Sequence, residues 1–140
     1  MAQLVRNVMT RDPVCVPADT PVTVAAQRMR DHDIGDVLVM SGGELRGIVT
    51  DRDIVVRGLA TGADMDLARV GDLATPQPAC VGPDDPADHA VRVMRELSIR
   101  RLPVCETDGT PVGIVSLGDL AVEREPNSAL AQISVATPNA

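Results

Sequence analysis

The stretch GIVTDRD at residues 47–53 returns as GIVSLGD at residues 113–119. Each copy is a glycine, a β-branched pair (Ile48-Val49; Ile114-Val115), a hydroxyl (Thr50; Ser116), two further residues and an aspartate (Asp53; Asp119). A strand that stops at Thr or Ser and runs into a helical pattern places that hydroxyl at a helix N-cap. The N–H groups and positive dipole end of the helix attract an anion. An aspartate three residues on carries two acceptor oxygens, which suit the vicinal hydroxyls of a ribose. Two readings stay open for a single copy. It is a capped helix with an acidic first turn, or it is a site that offers hydroxyl and N–H groups to phosphate and a carboxylate to sugar.

The residues around each copy repeat as well. An offset of 65 pairs Val5 with Val70, Thr10 with Thr75, Cys15 with Cys80, Val16 with Val81 and Pro21 with Pro86. It also pairs Ala25 with Ala90, Met29 with Met94, Ile34 with Ile99 and Val39 with Val104. One extra residue in TDGT at 107–110 then brings Gly47, Ile48, Val49 and Asp53 onto Gly113, Ile114, Val115 and Asp119. These matches fall at caps, turns and apolar faces, which marks an internal duplication. Within the first repeat, a short amphiphilic leader (1–12) precedes an extended piece at Val14–Val16. Thr20-Pro21 then starts a helix, with Pro21 at its first position. Strands are expected at Val37–Met40 and Leu45–Val49 around a Gly42-Gly43 turn, and a helix from Thr50 to about Leu59. Val22, Ala25, Ala26 and Met29 should face inward, as should Ala87, Ala90, Val91 and Met94. The repeats span 4–61 and 67–124, and 125–140 form a tail with a short helix or arm. Units this small bury a full core only together, so two small sheets are expected to pack about a pseudo-two-fold axis, with both motifs lining clefts between the repeats.

Composition narrows the function. The 140 residues are 44% apolar and 24% charged, an ordinary balance for a soluble globular chain. There is no Phe, Tyr or Trp, so the core is Val, Leu, Ile, Ala and Met, and bases have no aromatic platform to stack on. A net charge of −7 opposes a phosphate backbone, which argues against nucleic acid as a partner. No apolar run has the length of a membrane span, and MAQLVRNVMT lacks a signal-peptide apolar region, so a cytoplasmic location is expected. Three cysteines do not make a disulfide framework.

The paired entries VMT…P at 8–13 and LATPQP at 73–78, the stretch IRRLPV at 99–104 and the two glycine–hydroxyl–Asp motifs together resemble a tandem pair of CBS (cystathionine-β-synthase) domains, a Bateman module. The resemblance covers residues 4–124. AAQRMRDHDIG (25–35) and TDRDIVVRGLATG (50–62) are similar to small stand-alone two-CBS proteins of actinobacteria, of the mycobacterial hypoxic-response type. It implies an α/β fold of two CBS repeats, each β-α-β-β-α, packed through their small sheets into one module. It also implies an adenosyl ligand (AMP, ADP, ATP or S-adenosylmethionine) in a cleft between repeats, with no obligatory cofactor. By the same resemblance Asp53 and Asp119 hold ribose, while Thr50, Ser116, Arg100 and Arg101 lie near phosphate. Two adjacent guanidiniums suit a phosphate clamp. The matching first-repeat positions are Gly35 and Asp36, so the two sites cannot be equivalent, and at most one good nucleotide site is expected per chain. Arg52 is either a second phosphate contact or a solvated arginine.

Met29 and Met94 read as core fillers, and His32 and His89 as surface or packing residues with no metal spacing. Cys80 and Cys105 fall on pieces that a strand–helix–strand unit sets side by side. They are two reduced thiols, a redox-responsive pair or a metal contact. No nucleophile has a base at a family spacing, so an enzyme is not expected. The leading function is a ligand-sensing regulatory module that signals to an unknown effector protein in trans. The alternative is a ligand-independent stress or redox-responsive interaction protein using Cys80 and Cys105. A homodimer is expected, with Ile54, Val55 and Leu120 at its contact.

Overall fold

The computed structural model describes residues 3–76, 79–124 and 127–136. In chain order the elements are α1 (Val5–Val8), β1 (Thr10–Arg11), β2 (Cys15–Pro17), α2 (Val22–His32), β3 (Asp36–Ser41), β4 (Glu44–Thr50) and α3 (Asp51–Asp53). They continue with α4 (Val70–Leu73), β5 (Thr75–Pro76), α5 (Ala87–Leu97), β6 (Arg101–Cys105), β7 (Pro111–Ser116), α6 (Leu117–Arg124) and α7 (Ala129–Val135). The duplication is therefore structural: α1 corresponds to α4, β1 to β5, α2 to α5 and the β3–β4 hairpin to β6–β7.

The compact units do not follow the linear repeats 4–61 and 67–124. One unit is Pro13–Pro78, and the other joins Met1–Asp12 to Ala79–Ala140. Each hairpin is completed by the leader of the other repeat. In the second unit β1 pairs antiparallel with β7, Thr10 opposite Ile114 and Arg11 opposite Gly113. In the first unit β5 pairs antiparallel with β4, Thr75 opposite Ile48 and Pro76 opposite Gly47. The two registers are the same once the repeats are superposed by sequence. The sheets run β2-β3-β4-β5 and β1-β7-β6.

The leaders also cap the long helices. Pro21 and Pro86 sit at the N-cap, one place earlier than Pro's usual first helical position, and neither helix start has a side-chain cap. The leader backbones replace it. The Val22 N–H donates to the Ala68 carbonyl at 2.9 Å, and the Ala87 N–H donates to the Gln3 carbonyl at 2.8 Å. In return, the Val70 and Gly71 N–H groups donate to Thr20 and Ala18, and the Val5 and Arg6 N–H groups to Asp85 and Pro83. Arg6 also pairs with Asp84. A proline cannot donate and has no polar side chain, so an outside acceptor at this point satisfies donors that a Thr or Ser cap would otherwise take.

Two cores result. The first contains Val16, Val22, Ala25, Met29, Val37, Val39, Val49 and the leader residues Val70, Leu73 and Ala74. The second contains Val81, Ala87, Ala90, Met94, Leu102, Val104, Val115, Leu120 and the leader residue Val5. Ala26 is exposed, against expectation, because the narrow helix stripe is filled by Val22, Ala25 and Met29. Leu120 is only 2% exposed, so it belongs to the core and not to a dimer contact, and Ile54 packs partly against the first core. The Gly42-Gly43 turn is present with both residues at positive φ, as a two-residue hairpin requires. In the tail, α7 lies against α6, with Ala131 buried and capped through the Ser128 hydroxyl.

The glycine that opens each motif is explained by the leader. A Cβ on Gly113 would stand 2.8 Å from the Thr10 carbonyl oxygen and 2.6 Å from Met9 Sδ, and one on Gly47 would collide with the Thr75 carbonyl oxygen. Gly113→Val and Gly47→Val should each destabilise the protein by about 1–3 kcal/mol through overpacking. Gly109→Asn, in a turn at positive φ with open space around it, should cost less. Urea unfolding of the three variants checks the order.

Candidate functional site

Both motifs fold locally as reciprocal caps. At the end of β4 the Thr50 hydroxyl accepts the Asp53 N–H at 3.1 Å, and Asp53 Oδ2 accepts the Thr50 N–H at 2.9 Å. At the end of β7 the Ser116 hydroxyl accepts the Asp119 N–H at 3.1 Å, and Asp119 Oδ2 accepts the Ser116 N–H at 2.9 Å. This is a capping box with Asp in place of Glu. Both copies are thus capped helix starts with an acidic first turn. Each aspartate uses one oxygen for the cap and keeps Oδ1 for another donor. Asp53 and Asp119 are half-buried, so the carboxylates are held by the cap yet reachable from solvent.

The helices that follow are not alike. After Asp53 the chain widens into a π-helical stretch at Ile54–Gly58 and tightens to a 3₁₀ turn at Leu59–Thr61, whereas α6 is regular. The wide turn brings buried Gly58 against Leu73 and Met65, where a Cβ would lie 3.1 Å from each. It leaves Val55, Val56 and Leu59 about half exposed or more. In the second repeat Gly118 allows the approach of α7: a Cβ there would stand 2.6 Å from Ser134 Oγ.

The strand ends opposite the hydroxyls carry the charge difference. Arg101 faces Ser116 across β6–β7, and the Leu117 N–H donates to the Arg100 carbonyl at 2.9 Å. Arg100, Arg101, Ser116 and Asp119 are therefore gathered at one end of one hairpin. Arg100 also lines a depression of about 400 Å³ with Val91, Met94, Arg95, Ile99 and Leu117. In the first repeat Asp36 faces Thr50, and the Asp51 N–H donates to the Gly35 carbonyl at 3.0 Å. The first end thus gathers Thr50 and Asp53 with Asp36 and Asp51, which take the positions of Arg101 and Leu117. Arg52 is exposed there, its N–H donating to Asp51 Oδ1 at 2.8 Å.

Cys80 and Cys105 lie on adjacent extended pieces as expected, but out of step. Val81 bridges Val104 in parallel, which sets Cys80 opposite Pro103. Cys105 lies two residues further on, which puts the Cα atoms about 8 Å apart by strand geometry. That exceeds the reach of a disulfide without backbone movement. Cys80 is exposed, Cys105 is buried, and no disulfide joins any of the three cysteines. Desolvation raises the Cys15 thiol pKa, and its Sγ lies 3.5 Å from the Pro13 carbonyl. No group of three or more His, Cys, Asp or Glu among the described residues could hold a metal ion. No helix among them is long and apolar enough to cross a membrane.

Comparison with known proteins matches this architecture. A family model described as the CBS domain matches residues 5–59 and 70–124. Hypoxic response protein 1 of Mycobacterium tuberculosis is 38% identical over 117 residues, 83% of this chain and 81% of that protein. The crystal structure of Hypoxic Response Protein I with two coordinated zinc ions superposes with a TM-score of 0.75, covering 85% of this chain and 97% of that one. The CBS domain protein PAE2072 from Pyrobaculum aerophilum, complexed with AMP, is 26% identical with a TM-score of 0.78, covering 93% of this chain and 99% of that one.

The caps have a stability consequence separate from any ligand. Ser116→Ala and Thr50→Ala each remove the acceptor for the aspartate N–H and should each cost about 1 kcal/mol, read as a lower urea midpoint with an unchanged slope. Ser116→Thr should keep most of that stability.

Proposed function

The chain belongs to the CBS-domain family, and on that premise we propose that it is a regulatory module that binds an adenosyl ligand and signals its presence to a partner protein. The observation that carries the reading is the end of β7. There Asp119 is fixed by its own cap with one oxygen to spare, and Ser116, Arg100 and Arg101 stand beside it. A ribose would take the spare oxygen through its hydroxyls, and a phosphate would take the guanidiniums and the hydroxyl. AMP in the complex of the related PAE2072 supports this ligand class. AMP, ADP, ATP and S-adenosylmethionine all carry the adenosyl group that the aspartate would read. Asp53 and Thr50 form the matching half-site in the first repeat.

Nothing in this reading calls for a chemical step or an obligatory cofactor. Ligand acts by binding one arrangement of the protein more tightly than another, since equal affinity for both would shift nothing. An effector protein in the cytoplasm reads the favoured arrangement. The module works as a homodimer whose contact uses the apolar surface of Val55, Val56 and Leu59, which the fold leaves uncovered within the chain. The thiol pair is not part of the mechanism, because the register holds Cys80 and Cys105 apart.

Thermal unfolding with millimolar AMP, ADP, ATP and S-adenosylmethionine, and GMP as control, tests the proposal. A ligand at 100 times its dissociation constant stabilises by about 2.7 kcal/mol, several degrees for a domain of this size. The Asp53→Ala/Asp119→Ala variant loses both caps and starts from a lower midpoint, so the ligand-induced shift is the readout. That shift should vanish in the variant. No shift with any adenosyl ligand in the unaltered protein would overturn the proposal.

A further inference from the structure

The Gly42-Gly43 turn closes the end of the first hairpin opposite to Thr50 and Asp53, and a second depression opens beside it. Its volume is about 490 Å³, and its lining includes Ala18, Asp19, Met40, Arg46, Arg69 and Asp72. All of the lining belongs to the unit Pro13–Pro78. Backbone bonds tie the walls together. The Gly71 N–H donates to the Ala18 carbonyl at 2.9 Å, and the Ala18 N–H donates to the Met40 carbonyl at 2.8 Å. Arg69 is held by an antiparallel bridge to Pro21. The leader, the loop before α2 and the hairpin thus meet in a backbone frame that is built before anything binds.

Two carboxylates and two guanidiniums line this space. Among the described residues none of the four forms an ion pair. Each keeps its donors or acceptors for a molecule that carries both signs of charge. The duplication shows what Asp19 lacks. Its counterpart Asp84 takes the guanidinium of Arg6, whose Nε donates to Asp84 Oδ1 at 2.8 Å. The counterpart of Arg6 is Gly71, so in the first repeat the place of that guanidinium stays open. Arg46 and Arg69 are additions, since their counterparts are Val112 and Leu4. The first repeat has therefore given up the cation of an ion pair and gained two guanidiniums around the same depression. A guanidinium suits a carboxylate because its planar fork offers two parallel hydrogen bonds.

We propose that this depression binds a basic α-amino acid. Its side-chain cation pairs with Asp19, as Arg6 pairs with Asp84, and its α-carboxylate pairs with Arg46 and Arg69. Asp72 takes the α-ammonium group, and Met40 and Ala18 line the methylene stem. The site uses none of the residues of the motif end and does not depend on the adenosyl-ligand reading.

Isothermal titration calorimetry of the full chain with L-arginine tests the proposal. Agmatine, which lacks the carboxylate, and L-citrulline, which lacks the side-chain cation, serve as paired controls. The unaltered protein should bind one L-arginine per chain. Each control should bind more weakly by about tenfold or more, the size expected for lost hydrogen bonds to a charged group. In Asp19→Asn, L-arginine should bind no better than L-citrulline. In Arg46→Gln/Arg69→Gln it should bind no better than agmatine. The three replaced side chains are exposed, so both variants should fold, and circular dichroism checks this. No saturable binding of L-arginine at millimolar concentration would overturn the proposal. So would equal binding of all three compounds, or unchanged L-arginine affinity in either folded variant.

Discussion

Two short edge pairings hold this protein in its arrangement: Thr10-Arg11 along β7 and Thr75-Pro76 along β4. Each is only two residues long, so strand pairing alone contributes little. Their strength comes from what they bring along. The leader that supplies β1 places Val5 in the second core, and the leader that supplies β5 places Val70, Leu73 and Ala74 in the first. The same leaders supply the carbonyls that cap α2 and α5. The cost is steric: the strand that receives the leader must carry a residue without a Cβ where the two backbones meet. Gly47 and Gly113 answer that demand.

The motif strand therefore works at both ends. Its glycine end accepts the leader of the other repeat. Its hydroxyl end stops the strand, caps a helix and turns an aspartate outward. Because leader and cap sit on one seven-residue run, the aspartate is fixed in place close to the contacts that build the sheet. Symmetry in this scaffold is close, down to matching registers and matching cap distances near 3 Å. The symmetry ends at side-chain charge, where Asp36 and Asp51 stand at the positions that Arg101 and Leu117 take in the other repeat. A duplicated frame thus carries unlike side chains at its two motif ends.

Much of this is legible in the sequence because the relevant signals are local. Turn glycines, β-branched runs and hydroxyl–Asp spacings act within a few residues, and the duplication reports the rest. The leader exchange is not legible, since Thr10-Arg11 and Thr75-Pro76 have no periodicity and their partners lie elsewhere in the chain. The same long-range contact explains why Pro21 and Pro86 sit at the cap. Leu120 looked available on a helix face, but α6 turns it into the core beside Val115. The π-helical stretch after Asp53 has no marker except Gly58, whose role depends on Met65 and Leu73. For Cys80 and Cys105, adjacency followed from the strand–helix–strand pattern, while register, which decides a disulfide, did not. At the site, the residues gathered by each hairpin end were all visible as letters. Their grouping needed the cross-strand pairs.

The central claim is that an adenosyl ligand is read at the end of β7, by Asp119 together with Ser116, Arg100 and Arg101. Amide hydrogen exchange, followed by mass spectrometry with and without saturating AMP, tests it most directly. The account predicts slowed exchange over residues 116–120, where the capped helix start meets the ligand. Unchanged exchange over 116–120 would contradict it.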